Sequence, residues 1–130
     1  MKILIDTQVL VWLLNDSAEL GPKTLRQLTD TSNQVCVSYF SFFEIAIKAS
    51  VGKMTFDSSV IDDLPKMGID LIMPSVEHLN QYRIHNQSDS DPFNNALITV
   101  ALIEKCAFAT SDTKILSARI DGLQRITAVK

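Results

Sequence analysis

The chain sets short apolar runs in unbroken succession and then stops them on small polar or acidic residues. Ile3-Leu4-Ile5 ends on Asp6, Val35-Cys36-Val37 ends on Ser38, and Cys106 to Thr110 ends on Ser111-Asp112. Runs this short, without polar alternation, read as strands buried on both faces, which is the habit of the interior of a parallel sheet. Asp6 then stands at the carboxyl end of the first strand. Ligands of open α/β sheets bind along that edge, so an acid there is a candidate site residue. It is equally placed to cap a helix, because Asp6-Thr7 precedes the apolar stretch Val9 to Leu14.

Helical segments fill the intervals between the strands. Val9 to Leu14 is a short helix broken by Asn15-Asp16-Ser17, and Gly21-Pro22 opens a second with Leu20, Leu25 and Leu28 as its apolar face. Tyr39 to Ser50 is too long for a strand. Its polar strip, Ser41, Glu44 and Lys48, runs between apolar flanks made by Phe40, Phe43, Ile47 and by Phe42, Ile45, Ala46, Ala49. Gly52 ends that helix, and Lys53 to Phe56 is an extended or tight connection. Ser58 caps a helix reaching about Leu64, Ile69 to Met73 is a further strand, and Pro74 to His78 leads into a helix ending near Arg83. His85 to Ser90 reads as a loop. Asp91-Pro92 then gives the clearest helix start, with Asp at the cap and Pro at the first helical position. A short helix follows Asp112 to about Ala118, and Leu123 to Val129 supplies a last strand. This alternation predicts one domain over residues 1–130, a three-layer α/β/α sandwich with a mostly parallel central sheet and right-handed crossovers.

Composition supports a packed domain and narrows its partners. A chain of 130 residues buries about two-thirds of its unfolded surface, and a content of 46% hydrophobic but only 7% aromatic residues makes the core aliphatic. The net charge of −3 argues against holding nucleic acid through global charge, while leaving room for a local basic patch. Cys36 and Cys106 lack metal or redox spacing and read as buried free thiols of a cytoplasmic protein. No targeting segment is expected, since the apolar start is interrupted at Asp6 and Val9 to Leu14 is too short for a membrane.

Four acids from distant parts of the chain fall near one edge of this layout. Asp6 and Asp112 follow strands, Asp91 caps the helix feeding the strand before Asp112, and Glu44 lies early in the helix leaving the second strand. Clustered carboxylates repel, and a hard cation relieves that cost. Mg²⁺ or Mn²⁺ suits an oxygen-only donor set, whereas the chain has no Cys/His set for zinc. Metal-assisted phosphodiester hydrolysis is the chemistry such a site carries. Each acid also has a plainer structural role: Glu44 with Lys48 is an i, i+4 ion pair, and Asp91 and Asp112 are helix caps.

The order and spacing of these segments resemble the PIN-domain ribonucleases, in particular the VapC-like toxins of bacterial toxin-antitoxin pairs. The resemblance runs through Ile5-Asp6-Thr7 with Val9 to Trp12, Val37-Ser38 with Phe43 to Lys48 and Gly52-Lys53, Asp91-Pro92-Phe93 with Ala96 to Ile98, and Thr110-Ser111-Asp112. It implies a Mg²⁺- or Mn²⁺-dependent RNA endonuclease, usually a homodimer, inhibited by an antitoxin protein. Asp6, Glu44 and Asp112 match three of its acidic positions. At the fourth, members commonly read Asp-Pro-Phe-Asp, whereas this chain reads Asp91-Pro92-Phe93-Asn94. Asn94 offers a neutral oxygen, and Asp91 lies one turn earlier. An active enzyme with weakened metal binding and a catalytically impaired module that binds RNA or protein are therefore both expectations. Lys48, Lys53, Arg83, His85 and Arg119 are candidate phosphate contacts whose plainer reading is solvated charge, and His78 and His85 read as surface histidines. A phosphotransfer domain would need a second acid two residues after Asp6, where Gln8 stands.

Overall fold

The computed structural model describes residues 1–84 and 91–129. The expected loop 85–90, with His85 in it, lies outside them, as does Lys130. The first apolar run forms β1 (Lys2–Ile5), with Ile3, Leu4 and Ile5 wholly buried. It takes the centre of a five-stranded sheet of order β3-β2-β1-β4-β5, with β2 at Gln34–Ser38, β3 at Ile69–Ile72, β4 at Ala107–Thr110 and β5 at Arg125–Thr127. All four ladders are parallel. Ile5 pairs with Val37 on one side and Ala109 on the other, so Asp6, Ser38 and Thr110 reach the same edge together.

Strand side chains alternate between two cores. Ile3, Ile5, Val35, Val37 and Ala109 face one cluster, completed by Val9 and Leu10 of α1 (Thr7–Leu14), Leu28 of α2 (Pro22–Thr29), and Phe42 and Ile45 of α3 (Tyr39–Ser50). Leu4, Cys36 and Phe108 face the other, covered by Leu97, Ile98 and Ala101 of α6 (Pro92–Ile103) and Ile115 of α7 (Thr113–Ser117). α5 (Val76–Ile84) packs on α6. The result is the expected α/β domain, and both cysteines are buried and free.

Several expectations need correction. The segment after Ser58 is not one capped helix: Asp57 Oδ1 accepts from Ser59 N–H at 3.0 Å, α4 covers only Val60–Asp63, and a 3₁₀ turn follows at Leu64–Met67. Pro65 explains the break, because its ring clashes with the carbonyl one turn earlier in an α-helix. Gly68, at φ 73°, then reverses the chain into β3. Leu25, Phe43, Ala46 and Ile47 are exposed rather than core, since none of the described residues packs over the outer faces of α2 and α3. His78 is not a surface histidine. Only 3% exposed, its Nδ1 accepts from Ser75 N–H at 3.1 Å while Ser75 Oγ accepts from His78 N–H, a reciprocal cap of the α5 start. With Nδ1 an acceptor, Nε2 carries the proton and donates it to Glu104 Oε2 at 3.1 Å, joining α5 to the end of α6.

Candidate active site

Three helices bordering the carboxyl edge of the sheet, α1, α6 and α7, each begin on an aspartate. Asp6 Oδ1 accepts from Val9 N–H at 2.8 Å, Asp91 Oδ1 from Phe93 N–H at 2.9 Å, and Asp112 Oδ1 from Lys114 and Ile115 N–H at 2.8 and 3.2 Å. Capping and site membership are therefore joint roles. In Asp6 and Asp112 one oxygen fixes the side chain to its helix, and the other is engaged separately. Asp6 Oδ2 accepts from Thr110 Oγ1 at 2.5 Å, and Asp112 Oδ2 accepts from Asn94 Nδ2 at 3.3 Å.

Asp6, Glu44, Asp91, Asn94 and Asp112 line a single open cleft of about 420 Å³ at the carboxyl edge of the sheet, with Thr7, Lys48 and Lys53 also in its wall. All five predicted residues are thus brought together. Glu44 is held by Thr7 Oγ1, which donates to its Oε1 at 2.7 Å, and by Lys48 Nζ at 3.1 Å from Oε2. Its side chain is only 12% exposed, in line with its place between the two faces of α3. The i, i+4 ion pair read from the sequence exists, and it sits in the wall of the cleft.

Four carboxylates against two lysines leave the cleft acidic. Burial pushes the Asp6 carboxyl above its ordinary range; hydrogen bonds from Thr110, Val9 N–H and Ser111 N–H oppose this, and the nearby Asp112 charge adds to it. The starts of α1 and α6 point partial positive charge at the same place, which stabilises anions by about 0.3–1 kcal/mol per helix end.

The donor set fits a hard divalent cation. Its polar donors are carboxylate, amide and hydroxyl oxygens, without cysteine or histidine. Among the described residues no three Asp, Glu, His or Cys side chains form a finished cage. Mg²⁺ keeps several waters and needs only one or two protein carboxylates, so an open acidic wall is compatible with it.

Sequence reasoning missed the hydroxyls. Thr110 donates to Asp6 and accepts from Asp112 N–H at 3.0 Å, linking the two acids through one side chain. Thr7 donates toward Glu44 and lies 3.0 Å from Ser41 Oγ. Their only sequence signal is a Thr beside each strand-end acid. Of the candidate phosphate contacts, Lys48 and Lys53 line the cleft; Arg83 and Arg119 do not, and Arg119 is fully exposed beside Asp121.

No family model and no curated protein matches the chain. Solved structures do match in fold. A chain of VapBC2 from Rickettsia felis, solved bound to a DNA fragment from the promoter, is 15% identical with a TM-score of 0.69, covering 98% of this chain and 99% of that one. A chain of VapBC-1 from nontypeable Haemophilus influenzae is 16% identical with a TM-score of 0.63 and covers 98% of both chains. A PilT N-terminus domain protein from the archaeon Sulfolobus solfataricus is 15% identical with a TM-score of 0.53, covering 98% of this chain and 87% of that one. The parallel sheet and its surrounding helices are thus the PilT N-terminus (PIN) fold, in the form also found in VapBC toxin-antitoxin complexes.

Proposed function

We propose that the chain is a metal-dependent ribonuclease, the toxin of a toxin-antitoxin pair, cutting RNA phosphodiester bonds in the cleft at Asp6. The observation that carries this reading is the meeting of Asp6, Glu44, Asp91 and Asp112 in one cleft at the carboxyl edge of a PIN-type sheet. A bound Mg²⁺ or Mn²⁺ would supply Lewis acidity and a more acidic water there. Asp6 and Glu44, with Asp112 beyond Thr110, are the residues to hold it. Thr110 keeps one Asp6 oxygen in place, and Thr7 does the same for Glu44. Lys53, outside any ion pair among the described residues, is placed to meet a substrate phosphate.

A protein partner is part of the proposal. An apolar groove of about 550 Å³, lined by Leu13, Phe42, Ile45 and Phe56, shares Val11 and Met54 with the cleft and carries Asp16, Asp57 and Asp63. That combination suits an apolar segment with basic residues, as an antitoxin would bring. Exposed Phe43, Ile47 and Val51 on and after α3 and Val76, Leu79 and Ile84 on α5 offer further surface for a homodimer contact. No helix among the described residues is long and apolar enough to cross a membrane; a cytoplasmic location is part of the proposal and rests on the two free thiols, Cys36 and Cys106.

A second reading, a catalytically impaired module binding RNA or protein, is favoured by one observation. Asn94 spends an amide hydrogen on Asp112 instead of adding a fourth aspartate. Calorimetric titration with Mn²⁺ separates the two: binding that disappears in Asp6→Asn supports the enzyme, and no binding at millimolar ion supports the module. The activity itself is tested by incubating purified protein and single-stranded RNA with Mg²⁺ or Mn²⁺. Attack by water predicts fragments without 2′,3′-cyclic phosphate; intact RNA under both metals would overturn the enzyme.

A further inference from the structure

A second groove, of about 740 Å³, lies between α2 and the edge strand β5. Gly21 N–H donates to Ala128 O at 2.8 Å and Thr24 Oγ1 to Thr127 O at 2.9 Å, pinning the start of α2 to the end of β5. The charged lining is all of one sign: Lys23 and Arg26 from α2 and Arg125 from β5, with Gln27 and Gln124 beside them. Among the described residues no Asp or Glu lines the groove, although the chain carries a net charge of −3. Lys23 and Arg26 stand one helical turn apart, both exposed, and neither joins an ion pair among the described residues. Arg125 is held differently: it pairs with Phe108, and its Nη1 donates to Ile115 O and Ala118 O, so its guanidinium is turned toward α7 and the uncommitted cations of the groove are Lys23 and Arg26. Asp30, the acid at the far end of α2, is engaged by Ser32 and lies outside the lining.

We infer that this groove binds the sugar-phosphate backbone of the RNA strand that enters the cleft, an inference that rests on the ribonuclease reading above. Position favours that occupant over an acidic peptide. The groove runs along β5 from Gln124 to Val129; Thr127 pairs with Thr110, and Asp6 N–H bonds Ala109 O, so its Thr127 end lies toward the same carboxyl edge as the cleft. β5 is two strand positions from β1, about 10 Å across the sheet. A short single strand bridges that distance, leaving the acidic cleft for chemistry and giving the flanking phosphates two cations, Lys23 and Arg26, outside any ion pair among the described residues. Such contacts position the strand without reading its bases, and their strength falls as salt rises.

The test uses the Asp6→Asn chain to prevent cleavage, a fluorescein-labelled single-stranded RNA of about 16 nucleotides, and fluorescence anisotropy across a salt series. Adding Lys23→Ala and Arg26→Ala is expected to weaken binding about tenfold and to make the dependence of log affinity on log salt shallower by about 1.4. Thermal melting of this variant, altered only at exposed positions, is expected to match its Asp6→Asn parent. Unchanged affinity and slope would overturn the inference while leaving the ribonuclease reading intact. Unchanged RNA binding together with loss of polyglutamate binding would assign the groove to an acidic protein instead. A parent that binds no RNA, beside a native chain that cuts none, would overturn both readings.

Discussion

At the scale of single residues, the site is built from aspartates that do two jobs. Read from sequence, a strand-end Asp before a helix is either a cap or a ligand, and local pattern cannot separate the two. The structure removes the choice, because Asp6 and Asp112 each give Oδ1 to backbone N–H groups and keep Oδ2 for a side-chain partner. The partners Thr110 and Asn94 come from elsewhere in the fold, which is why Thr110 escaped notice and why the orientation of Asn94 was not legible. Asp6 carries a pH signature. Its folded pKa lies above the ordinary 3.8, so the folded state binds the proton more tightly than the unfolded chain. In EDTA, the native chain should therefore gain stability relative to Asp6→Asn as pH falls through the folded pKa toward 3.8. Urea midpoints at several pH values check this; a difference that does not change with pH would contradict it. Asn94→Asp replaces an attractive amide contact with a like charge facing Asp112. It should destabilise the metal-free protein by about 1 kcal/mol and tighten Mn²⁺ binding about tenfold, measured by urea unfolding and by calorimetry.

At the scale of elements, the legible parts are those whose signals are local. The helical stripe from Tyr39 to Ser50 coincides with α3, and the Asp91-Pro92 start of α6 follows from the cap and the fixed φ of proline. The failures came from tertiary context. Whether Phe43 and Ile47 are buried depends on what lies over α3, and the helical pattern alone did not tell that its outer face is uncovered. His78 looked superficial because its partners are the preceding Ser75 and the distant Glu104. Replacing it with Ala leaves Ser75 Oγ on the backbone N–H of residue 78 but removes the ring's half of the cap, the acceptor for Ser75 N–H, and the bridge to α6. His78→Ala should cost about 2–4 kcal/mol, the sum of the lost hydrogen bond from Ser75 N–H and the lost hydrogen bond to the Glu104 carboxylate. The shift is read from the urea midpoint of the whole chain; a change below about 0.5 kcal/mol would show that the pair is not structural.

At the scale of the whole molecule, the sheet order follows from the sequence logic: the wholly apolar run at Ile3-Leu4-Ile5 occupies the centre, and the shorter, partly exposed β5 lies at an edge. Because every ladder is parallel, the strands deliver Asp6, Ser38 and Thr110 to one edge, so residues far apart in the chain meet without any local signal for it. Charge is segregated on the result. Carboxylates gather in the cleft, while Lys23 and Arg26 stand together on α2 beside β5, a division invisible in a net charge of −3. The central claim is that the acidic cleft cuts RNA with a divalent ion held by Asp6. Its most direct test is the cleavage rate of labelled RNA in Mg²⁺ by the native chain and by Asp6→Asn, each with and without EDTA. The account predicts cleavage by the native chain with Mg²⁺ alone, with EDTA or the substitution abolishing it; cleavage that persists in either case would contradict it.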